Sequence, residues 1–457
     1  MLGALLSGLG LFVSNRPLHA WPLQLVCLIP WLWALRRSRS PRRGALLGLI
    51  VGLVHSVPLV LWLELPPIMA AALALYVSLL WSLFGALGAW LLRGPPVLAA
   101  FAVGGAAVCV EWIDVSAVPI WGTAQAFTRV WSAFPAGIQL VSLTGILGIV
   151  FVLVTAQALV VALPSSSGRR AALALALLAL AVVALDYAGW TRPADRTLRV
   201  AAIGWVDETL APSELASDQA LLDGIVAPAL RDAAHQGARL AVLPETAFAV
   251  DDPAPLLAEI GELAQETGLV IAVGYFARRT NDNRVAFIGP GGRLGDEYRK
   301  THLIAFLETY QAGDGTPVVV DVAGVKVGVL VCQDDNFSDL ARGLARAGAE
   351  VIAVPTRDWR EVKDEHLGNA RFRPVENRVG MVRAAANGIS AVISGRGELV
   401  AERDHFSQGA GLVIADLPVR ESGTLYRRVG DWLALAVGLL LVAAGIRAVR
   451  VGGPSRP

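Results

Sequence analysis

The chain has 457 residues, of which 55% are hydrophobic and only 17% charged, and its formal net charge is +1. A mean hydropathy of +0.56 is typical of a membrane protein, and the near-neutral charge argues against a nucleic-acid-binding protein, which needs a basic surface. The three cysteines, Cys27, Cys109 and Cys332, are too few and too far apart for a disulfide framework or a zinc site. Cys27 and Cys109 lie in long apolar runs, and we interpret them as packing residues.

Residues 1–190 consist of apolar runs separated by short polar joints. Several runs reach the roughly 17–25 residues that an α-helix needs to cross a bilayer. The sequence therefore predicts a transmembrane helical domain of about seven spans in residues 1–190. It also predicts a C-terminal transmembrane helix, Trp432 to Val449, and a cytoplasmic tail within residues 429–457. The seven predicted spans lie near residues 4–14, 21–35, 44–63, 68–92, 96–113, 139–163 and 171–187.

Arginine marks one side of these predicted spans. The joint Arg36–Arg43 carries five arginines, whereas joints on the other side, such as Glu64–Pro67, have almost no positive charge. The positive-inside rule places the arginine side in the cytoplasm, so the segment 191–428 is predicted on the extracytoplasmic face. With seven spans before residue 190, the same side also carries Arg93, Arg169, Arg170, Arg447, Arg450 and Arg456.

The segment 191–428 differs in composition, because charged residues are common there and the apolar runs shrink to strand length. Helical patterns at 213–236 and 252–267 lie between these runs. Strands that alternate with helices indicate an α/β domain, and this length suits one domain. The predicted strands are 197–204, 238–244, 268–275, 325–332, 350–355 and 390–394.

Three ionisable residues of this domain are candidates for chemistry. Glu245 comes after a predicted strand and a proline, where a partly buried carboxylate can act as a base. Lys300 can stabilise a developing oxyanion, and Glu308 could orient it. Alternatively, Glu245 is a carboxylate at a helix N-terminus, and Lys300 and Glu308 form a surface ion pair of little energetic value.

The stretch GVLVCQDDNF, residues 328–337, places Cys332 at the end of an apolar strand. A cysteine nucleophile needs a neighbouring base or cation to become a thiolate. Backbone N–H groups at a strand-to-helix turn would favour attack on a carbonyl group. Taken alone, a cysteine in such a strand is more often a packing residue.

Together, these residues form an ordered Glu–Lys–Cys set, and the stretches around them resemble the nitrilase, or carbon–nitrogen hydrolase, superfamily. The resemblance is carried by PET at 244–246, YRKTHL at 298–303 and VLVCQDD at 329–335. PTRDW at 355–359 and RAAANGISAVISGRGELVA at 383–401 extend it. It implies a four-layer αββα sandwich with Glu245 as general base, Lys300 as oxyanion stabiliser and Cys332 as nucleophile.

The membrane part narrows this resemblance to the apolipoprotein N-acyltransferase family. CVEWIDVSAVPIWGTAQAF at 109–127 and QLVSLTGILGIVFVLV at 139–154 resemble two helices of that family and the joint between them. The spacing from Lys300 to Glu308 matches the family's Lys-x-His-Leu-x-x-Phe-x-Glu, and this resemblance implies that Glu308 is a second essential carboxylate. Gln333 and Asp334 stand where the family has Tyr and Glu, two residues that shape its acyl pocket.

The resemblance implies transfer of a fatty acyl chain from a membrane phospholipid to the N-terminal diacylglyceryl-cysteine of an apolipoprotein. It places this reaction at the bacterial cytoplasmic (inner) membrane, with Gln333 in a supporting position and no metal or cofactor. Two alternatives stay open, and the departures at Gln333 and Asp334 favour the second of them. One is a membrane-tethered amidase that uses water as the final acceptor, and the other is a catalytically inactive nitrilase fold that acts as a membrane module.

Overall fold

The structure, a computed structural model, describes residues 1–15, 18–38, 40–118, 120–191, 194, 196–207, 219–419 and 423–451. The chain forms two compact units. The helical unit comprises Met1–Ile120, Gln125–Trp190 and the chain from Val429 onward, and the α/β unit comprises Trp121–Ala124 and Thr191–Arg428. Residues 213–218 of one predicted helix, and Arg456 of the tail, lie outside the described residues.

Helices account for most of the first unit and for the outer layers of the second. Short 3-10 or π segments connect several of them. In chain order the helices are α1 (Leu2–Asn15), α2 (Ile29–Ser38), α3 (Pro41–Trp62), α4 (Pro67–Leu91), α5 (Pro96–Trp112), α6 (Val141–Thr144), α7 (Leu147–Ala162), α8 (Gly168–Trp190), α9 (Gln219–Leu221), α10 (Ala227–His235), α11 (Pro253–Thr267), α12 (Ser338–Arg346), α13 (Lys363–Ala370), α14 (Phe372–Asn377), α15 (His405–Gln408), α16 (Leu425–Val429) and α17 (Trp432–Val451).

Four helices among the described residues are long and apolar enough to cross a membrane: α3, α4, α8 and the helix Pro96–Ala117 that begins with α5. The apolar helices α1 and α7 and the apolar part of α17 are shorter. The predicted span near 21–35 is divided into a 3-10 segment, Leu18–Leu25, and α2, since Pro22 interrupts regular α-helical hydrogen bonding. The predicted span near 139–163 is broken at Gly145, whose φ of 66° is accessible to glycine at little cost.

Glycine spacing explains how closely α3 and α4 pack. Gly44, Gly48 and Gly52 recur every fourth residue of α3 and therefore share one face. A Cβ atom added at Gly48 would lie 2.0 Å from the carbonyl oxygen of Trp81, and one at Gly44 would lie 2.3 Å from that of Gly85. The two backbones thus approach too closely for any side chain, as in other membrane helix pairs with small residues at the interface.

The α/β unit contains two sheets that lie face to face. One has the strand order β13-β1-β2-β4-β5-β6, with β3 paired to β4, and the other has the order β12-β11-β10-β9-β8-β7. The strands are β1 (Arg196–Gly204), β2 (Leu240–Val242), β3 (Phe248–Val250), β4 (Val270–Ala277), β5 (Asp282–Ile288), β6 (Leu294–Arg299), β7 (Val319–Val322), β8 (Val325–Val329), β9 (Val351–Arg357), β10 (Gly380–Ala386), β11 (Ile389–Ile393), β12 (Leu399–Asp404) and β13 (Gly411–Val419).

Three hydrophobic clusters define four layers. The middle cluster joins the two sheets through residues such as Val242 and Val329. A second cluster packs α10 and α11 on the first sheet, and a third packs α12 and α13 on the second. Successive side chains of a β-strand point to opposite faces of the sheet. Neighbouring residues such as Ala353 and Val354 of β9 therefore belong to different clusters. The predicted αββα sandwich and the six predicted strands are confirmed.

Parallel strands occupy the centre of each sheet and position the candidate site. β1, β2 and β4 are mutually parallel neighbours in one sheet, and β8, β9 and β10 in the other. The chain reaches Glu245 just after β2 and Cys332 just after β8. Carboxyl ends of parallel strands are where α/β domains commonly place ligand-binding groups.

Candidate active site

Lys300 is the centre of a buried ion cluster. Its Nζ lies 2.8 Å from Glu245 Oε1 and 2.7 Å from Glu308 Oε1. The Lys300 side chain is fully buried, whereas Glu308 keeps a little exposure. The structure thus brings together Glu245, Lys300 and Glu308, which the sequence singles out. Because they are buried, the alternative of a surface ion pair is wrong.

Two further polar side chains complete this cluster. Asn283 of β5 donates from Nδ2 to Glu245 Oε1 at 2.7 Å. The hydroxyl of Tyr310 lies 3.4 Å from both Lys300 Nζ and Asn283 Nδ2. Glu308 Oε2 accepts the backbone N–H of Ile304 at 2.8 Å, which fixes the intervening loop. Tyr310 lies only two residues beyond Glu308, and this proximity in sequence could have indicated its place in the cluster. The sequence contains no comparable signal for Asn283.

The acidic side chains of this cluster stabilise the charged form of Lys300. Burial alone disfavours the ammonium group, but the carboxylates of Glu245 and Glu308 outweigh it and hold the pKa of Lys300 well above its usual value. One ammonium group thus contacts two acidic side chains. A positioned carboxylate is a group that can serve as a proton acceptor.

Cys332 sits at a sharp change of backbone direction. β8 ends at Val329, and a 3-10 turn begins at Cys332 itself, whose φ is 47°. Thr246, directly after Glu245, has a similar φ of 45°. Positive φ at residues with a side chain is uncommon, costs of order 1–3 kcal/mol and concentrates at functional sites. Sequence pattern alone does not reveal such a conformation.

The Cys332 thiol is buried and uncharged in the resting site. Its residue is 2% exposed, and its Sγ lies 3.5 Å from the carbonyl oxygen of Arg357. Burial, followed by the charge of Glu245, raises the pKa of Cys332 well above its usual value, while Lys300 opposes that rise. The thiol thus lies within electrostatic reach of Glu245 and Lys300, and it needs a base before it can act as a nucleophile.

Asp334 connects the turn after Cys332 to the segment after Lys300. The carboxylate, fully buried, accepts the backbone N–H of His302 at 2.7 Å and that of Thr301 at 3.2 Å. It also accepts the hydroxyl of Tyr298 at 3.0 Å. This departure from the family pattern therefore serves to hold two segments of the site together.

Gln333 lies beside Cys332 and is 5% exposed. Its Oε1 accepts a hydrogen bond from Asn336 Nδ2 at 2.7 Å, and Asn336 in turn accepts one from Asn369. The Nε2 donor of Gln333 is buried without a hydrogen-bond partner among the described residues. An unpaired buried donor is costly, and an arriving acceptor group could satisfy it.

A second buried ion network borders Cys332 on the side of β9. His366 lies between two carboxylates, with Nδ1 at 2.6 Å from Asp358 and Nε2 at 3.0 Å from Asp335. Arg383 of β10 donates to the same pair, at 2.6 Å to Asp358 and 2.9 Å to Asp335. Burial alone would lower the pKa of His366, but the charges of Asp335 and Asp358 outweigh it and raise that pKa to about 9.

This network also gives Asp358, from the stretch PTRDW at 355–359, a structural place. Its carboxylate pairs with Arg383 and His366. The neighbouring Arg357 pairs with Asp207. The quoted stretch PTRDW contained Asp358, but only the fold brings it to His366 and Arg383.

Three potential metal ligands meet at this point. Cys332, Asp358 and His366 each offer a ligand atom, and these atoms lie within 4.8 Å of one another. The guanidinium of Arg383 already contacts Asp358, and its Nη2 lies 3.0 Å from His366 Nδ1. A metal cation here would sit against a fixed positive charge, so the residues suit an ion-pair network better than a metal centre.

Two protein families match the chain. The carbon-nitrogen hydrolase family matches residues 199–427, and the apolipoprotein N-acyltransferase N-terminal domain matches residues 7–159. Apolipoprotein N-acyltransferase from Geobacter metallireducens is 26% identical over 97% of this chain and 94% of the relative. The enzyme of that name from Chromobacterium violaceum is 28% identical, over 97% of this chain and 93% of the relative.

Amidases match a smaller share of the chain. N-carbamoylputrescine amidase from Solanum lycopersicum is 34% identical over 33% of this chain and 52% of the amidase. A crystal structure of an amidase from Nesterenkonia sp. is 22% identical, with a TM-score of 0.41, over 52% of this chain and 92% of that one. The relatives that match along the whole length also share the helical unit. The chain therefore belongs to the carbon-nitrogen hydrolase family and, within it, to the membrane-embedded apolipoprotein N-acyltransferases.

Proposed function

We propose that this protein transfers a fatty acyl chain from a membrane phospholipid to the N-terminal diacylglyceryl-cysteine of apolipoproteins, through a thioester on Cys332. The observation that carries the proposal is the buried Glu245–Lys300–Glu308 cluster within electrostatic reach of Cys332. Two further findings support it. Four of the described helices are long and apolar enough to cross a membrane, and relatives that match 97% of the chain are named apolipoprotein N-acyltransferase.

In the first half-reaction Glu245 takes the thiol proton of Cys332, and the thiolate attacks the carbonyl carbon of a phospholipid ester. Lys300 and a backbone N–H after Cys332 stabilise the oxyanion of the tetrahedral intermediate. The ester C–O bond then breaks, the lysophospholipid leaves with a proton from Glu245, and the acyl chain remains on Sγ. A buried neutral thiol requires such a base.

In the second half-reaction the α-amine of the acceptor attacks the thioester. Glu245 accepts the amine proton, the C–S bond breaks, and the thiolate is reprotonated as the amide product leaves. Glu308 keeps Lys300 oriented through its 2.7 Å contact. Gln333 supports the site by offering its unpaired Nε2 donor to a substrate oxygen.

Both substrates are anchored in lipid, which gives the helical part a physical purpose. We assign residues 1–190 and 429–457 to the membrane-embedded part and residues 191–428 to the catalytic domain. The arginine asymmetry of the joints supports a catalytic domain on the extracytoplasmic face of the bacterial inner membrane.

The test is a reconstituted assay that follows both products. The purified full chain is mixed with a phospholipid that carries an isotope-labelled acyl chain and with a diacylglyceryl-cysteinyl peptide. The proposal predicts labelled N-acyl peptide and lysophospholipid in equal amounts. A Cys332→Ser variant should form neither, and the matched control Cys109→Ser, which alters a cysteine of the helical unit, should form both.

The two alternatives give other outcomes. Labelled free fatty acid with unmodified peptide would mean that water resolves the thioester, as in the amidases. Equal product from wild type and Cys332→Ser would contradict Cys332 as the nucleophile. A chain that forms no product with any acceptor would behave as the inactive membrane module.

A further inference from the structure

One end of the helical unit contains a concavity that the acyl transfer does not use. Its volume is about 950 Å³, within the roughly 300–1,000 Å³ typical of small-molecule sites. The last turn of α2, the joint after α4 and the end of α7 form its walls. Trp33, Arg36, Arg37, Arg93 and Ser165 are among its lining residues.

Two of these arginines are held in place by other parts of the helical unit. Arg36 donates from Nη1 to the carbonyl oxygen of Val161 at 2.7 Å, near the C-terminal end of α7. The guanidinium of Arg37 lies 5.1 Å from the centre of the Trp33 ring, a favourable cation–π arrangement. Side chains that are fixed before a ligand arrives lose less conformational freedom when it binds.

Positive charge in this region is not balanced by acidic residues nearby in sequence. Residues 1–63, 65–110 and 115–185 contain no Asp or Glu. The joints that form the concavity therefore contribute arginines and no carboxylate. Orientation by the positive-inside rule needs charge alone; it requires neither a concavity nor guanidinium groups fixed around it.

We propose that this concavity binds the phosphate-bearing headgroup of an anionic phospholipid. A planar guanidinium can contact two phosphate oxygens at once, and three arginines line this site. Trp33 and Leu92 in the same lining suit the apolar part of a lipid, and tryptophan is enriched where helices meet the bilayer surface. Basic pockets between membrane helices on the cytoplasmic side are a general mode of lipid recognition.

The experiment measures lipid retention by the full chain in native mass spectrometry. The probe is ether-linked phosphatidylglycerol, which has no ester for Cys332 to attack, and ether-linked phosphatidylcholine is the comparison lipid. The site variant is Arg36→Gln/Arg37→Gln/Arg93→Gln. The matched control, Arg42→Gln/Arg43→Gln/Arg169→Gln, removes the same number of charges from arginine-bearing joints outside the lining residues.

We expect wild type and control to retain phosphatidylglycerol in preference to phosphatidylcholine, and the site variant to lose at least about tenfold in affinity. Arg37→Gln alone should show part of that loss, so the result does not depend on the triple variant folding normally. An equal loss in both triple variants, or no preference between the lipids, would overturn the proposal. Displacement of the lipid by millimolar inorganic phosphate would instead identify a site for free anions.

Discussion

At the scale of single residues, the site depends on how Lys300 and Asp334 are each surrounded. Lys300 has carboxylates on two sides and is completely buried. Asp334, equally buried, collects donors from Tyr298, Thr301 and His302. The two glutamates around Lys300 stabilise a buried cation, and the donors around Asp334 stabilise a buried carboxylate. Each of these clusters joins segments that are distant in sequence.

Replacing Glu308 by Gln tests the orientation of Lys300. The amide keeps the volume but removes a charge beside Nζ and one acceptor, since Glu308 also holds the N–H of Ile304. If Lys300 stabilises the oxyanion as proposed, misplacing it should cost about as much as losing an oxyanion donor, so we expect acyl-transfer kcat to fall about 10²-fold. Steady-state assays with the labelled phospholipid measure it.

The matched control is Glu297→Gln, which removes a carboxylate that is paired with Arg284 on β5 and β6. It should leave kcat close to the wild-type value. A Glu308→Gln enzyme with unchanged kcat would show that Lys300 needs only Glu245.

Replacing Asp334 by Asn tests the connection between the Cys332 turn and the Lys300 segment. The new NH₂ group would face N–H and O–H donors, and buried donors left unpaired cost about 1–3 kcal/mol each. We expect a stability loss of about 2–3 kcal/mol and slower thiol acylation, measured by chemical unfolding and by adduct formation.

Asp321→Asn is the control, because Asp321 makes a comparable bond to the N–H of Gly324 in an exposed turn. It should change stability by less than about 0.5 kcal/mol. If both variants behaved alike, Asp334 would not be the connection described.

At the scale of elements, close backbone contact defines the α3–α4 pair. The glycine spacing of α3 leaves no room for a Cβ at Gly48, where the carbonyl oxygen of Trp81 would be 2.0 Å away. Since apolar side chains gain little from facing each other rather than lipid, such pairs rely on fit. A single methyl group should therefore separate the helices.

Gly48→Ala is predicted to lower the thermal midpoint of the full chain in detergent by several degrees. Gly438→Ala in α17 is the control, because its added Cβ would meet only Cys109 Sγ at an ordinary 3.7 Å. Circular dichroism of the two variants measures the difference. Equal midpoints would mean that α3 and α4 have more freedom to shift than their contacts indicate.

The sequence predicted elements better than it predicted the site. Short apolar runs located the six predicted strands, because a buried parallel strand is such a run, and a helical hydrophobic period located α11. The positive φ of Cys332 and the contact of Asn283 with Glu245 depend on chain segments that meet only in the fold. The same holds for Asp358, His366 and Arg383, whose partners lie on different elements.

At the scale of the whole molecule, buried ion networks make stability depend on pH. The pKa of His366 rises from 6.5 to about 9 on folding. The folded state therefore holds its proton more tightly than the unfolded state does. This contribution to stability is complete below pH 6.5 and is lost as pH rises through about 9.

His366→Gln should remove that dependence. We expect the difference in unfolding free energy between wild type and variant to shrink by up to about 3 kcal/mol between pH 6 and pH 9.5. Unfolding measured at a series of pH values tests it, with His235→Gln, on the end of α10, as a control at the surface. A difference that stays constant with pH would mean that His366 is neutral in the fold.

The most direct test of the whole account is the intact mass of the purified protein after incubation with phospholipid, for wild type beside Cys332→Ser. We predict a mass increase equal to one fatty acyl chain on wild type, which hydroxylamine removes, and none on the variant. No adduct on wild type, with Cys332 still titratable as a free thiol after unfolding, would contradict the thioester mechanism. An identical adduct on both proteins would place the acyl group elsewhere and would equally contradict it.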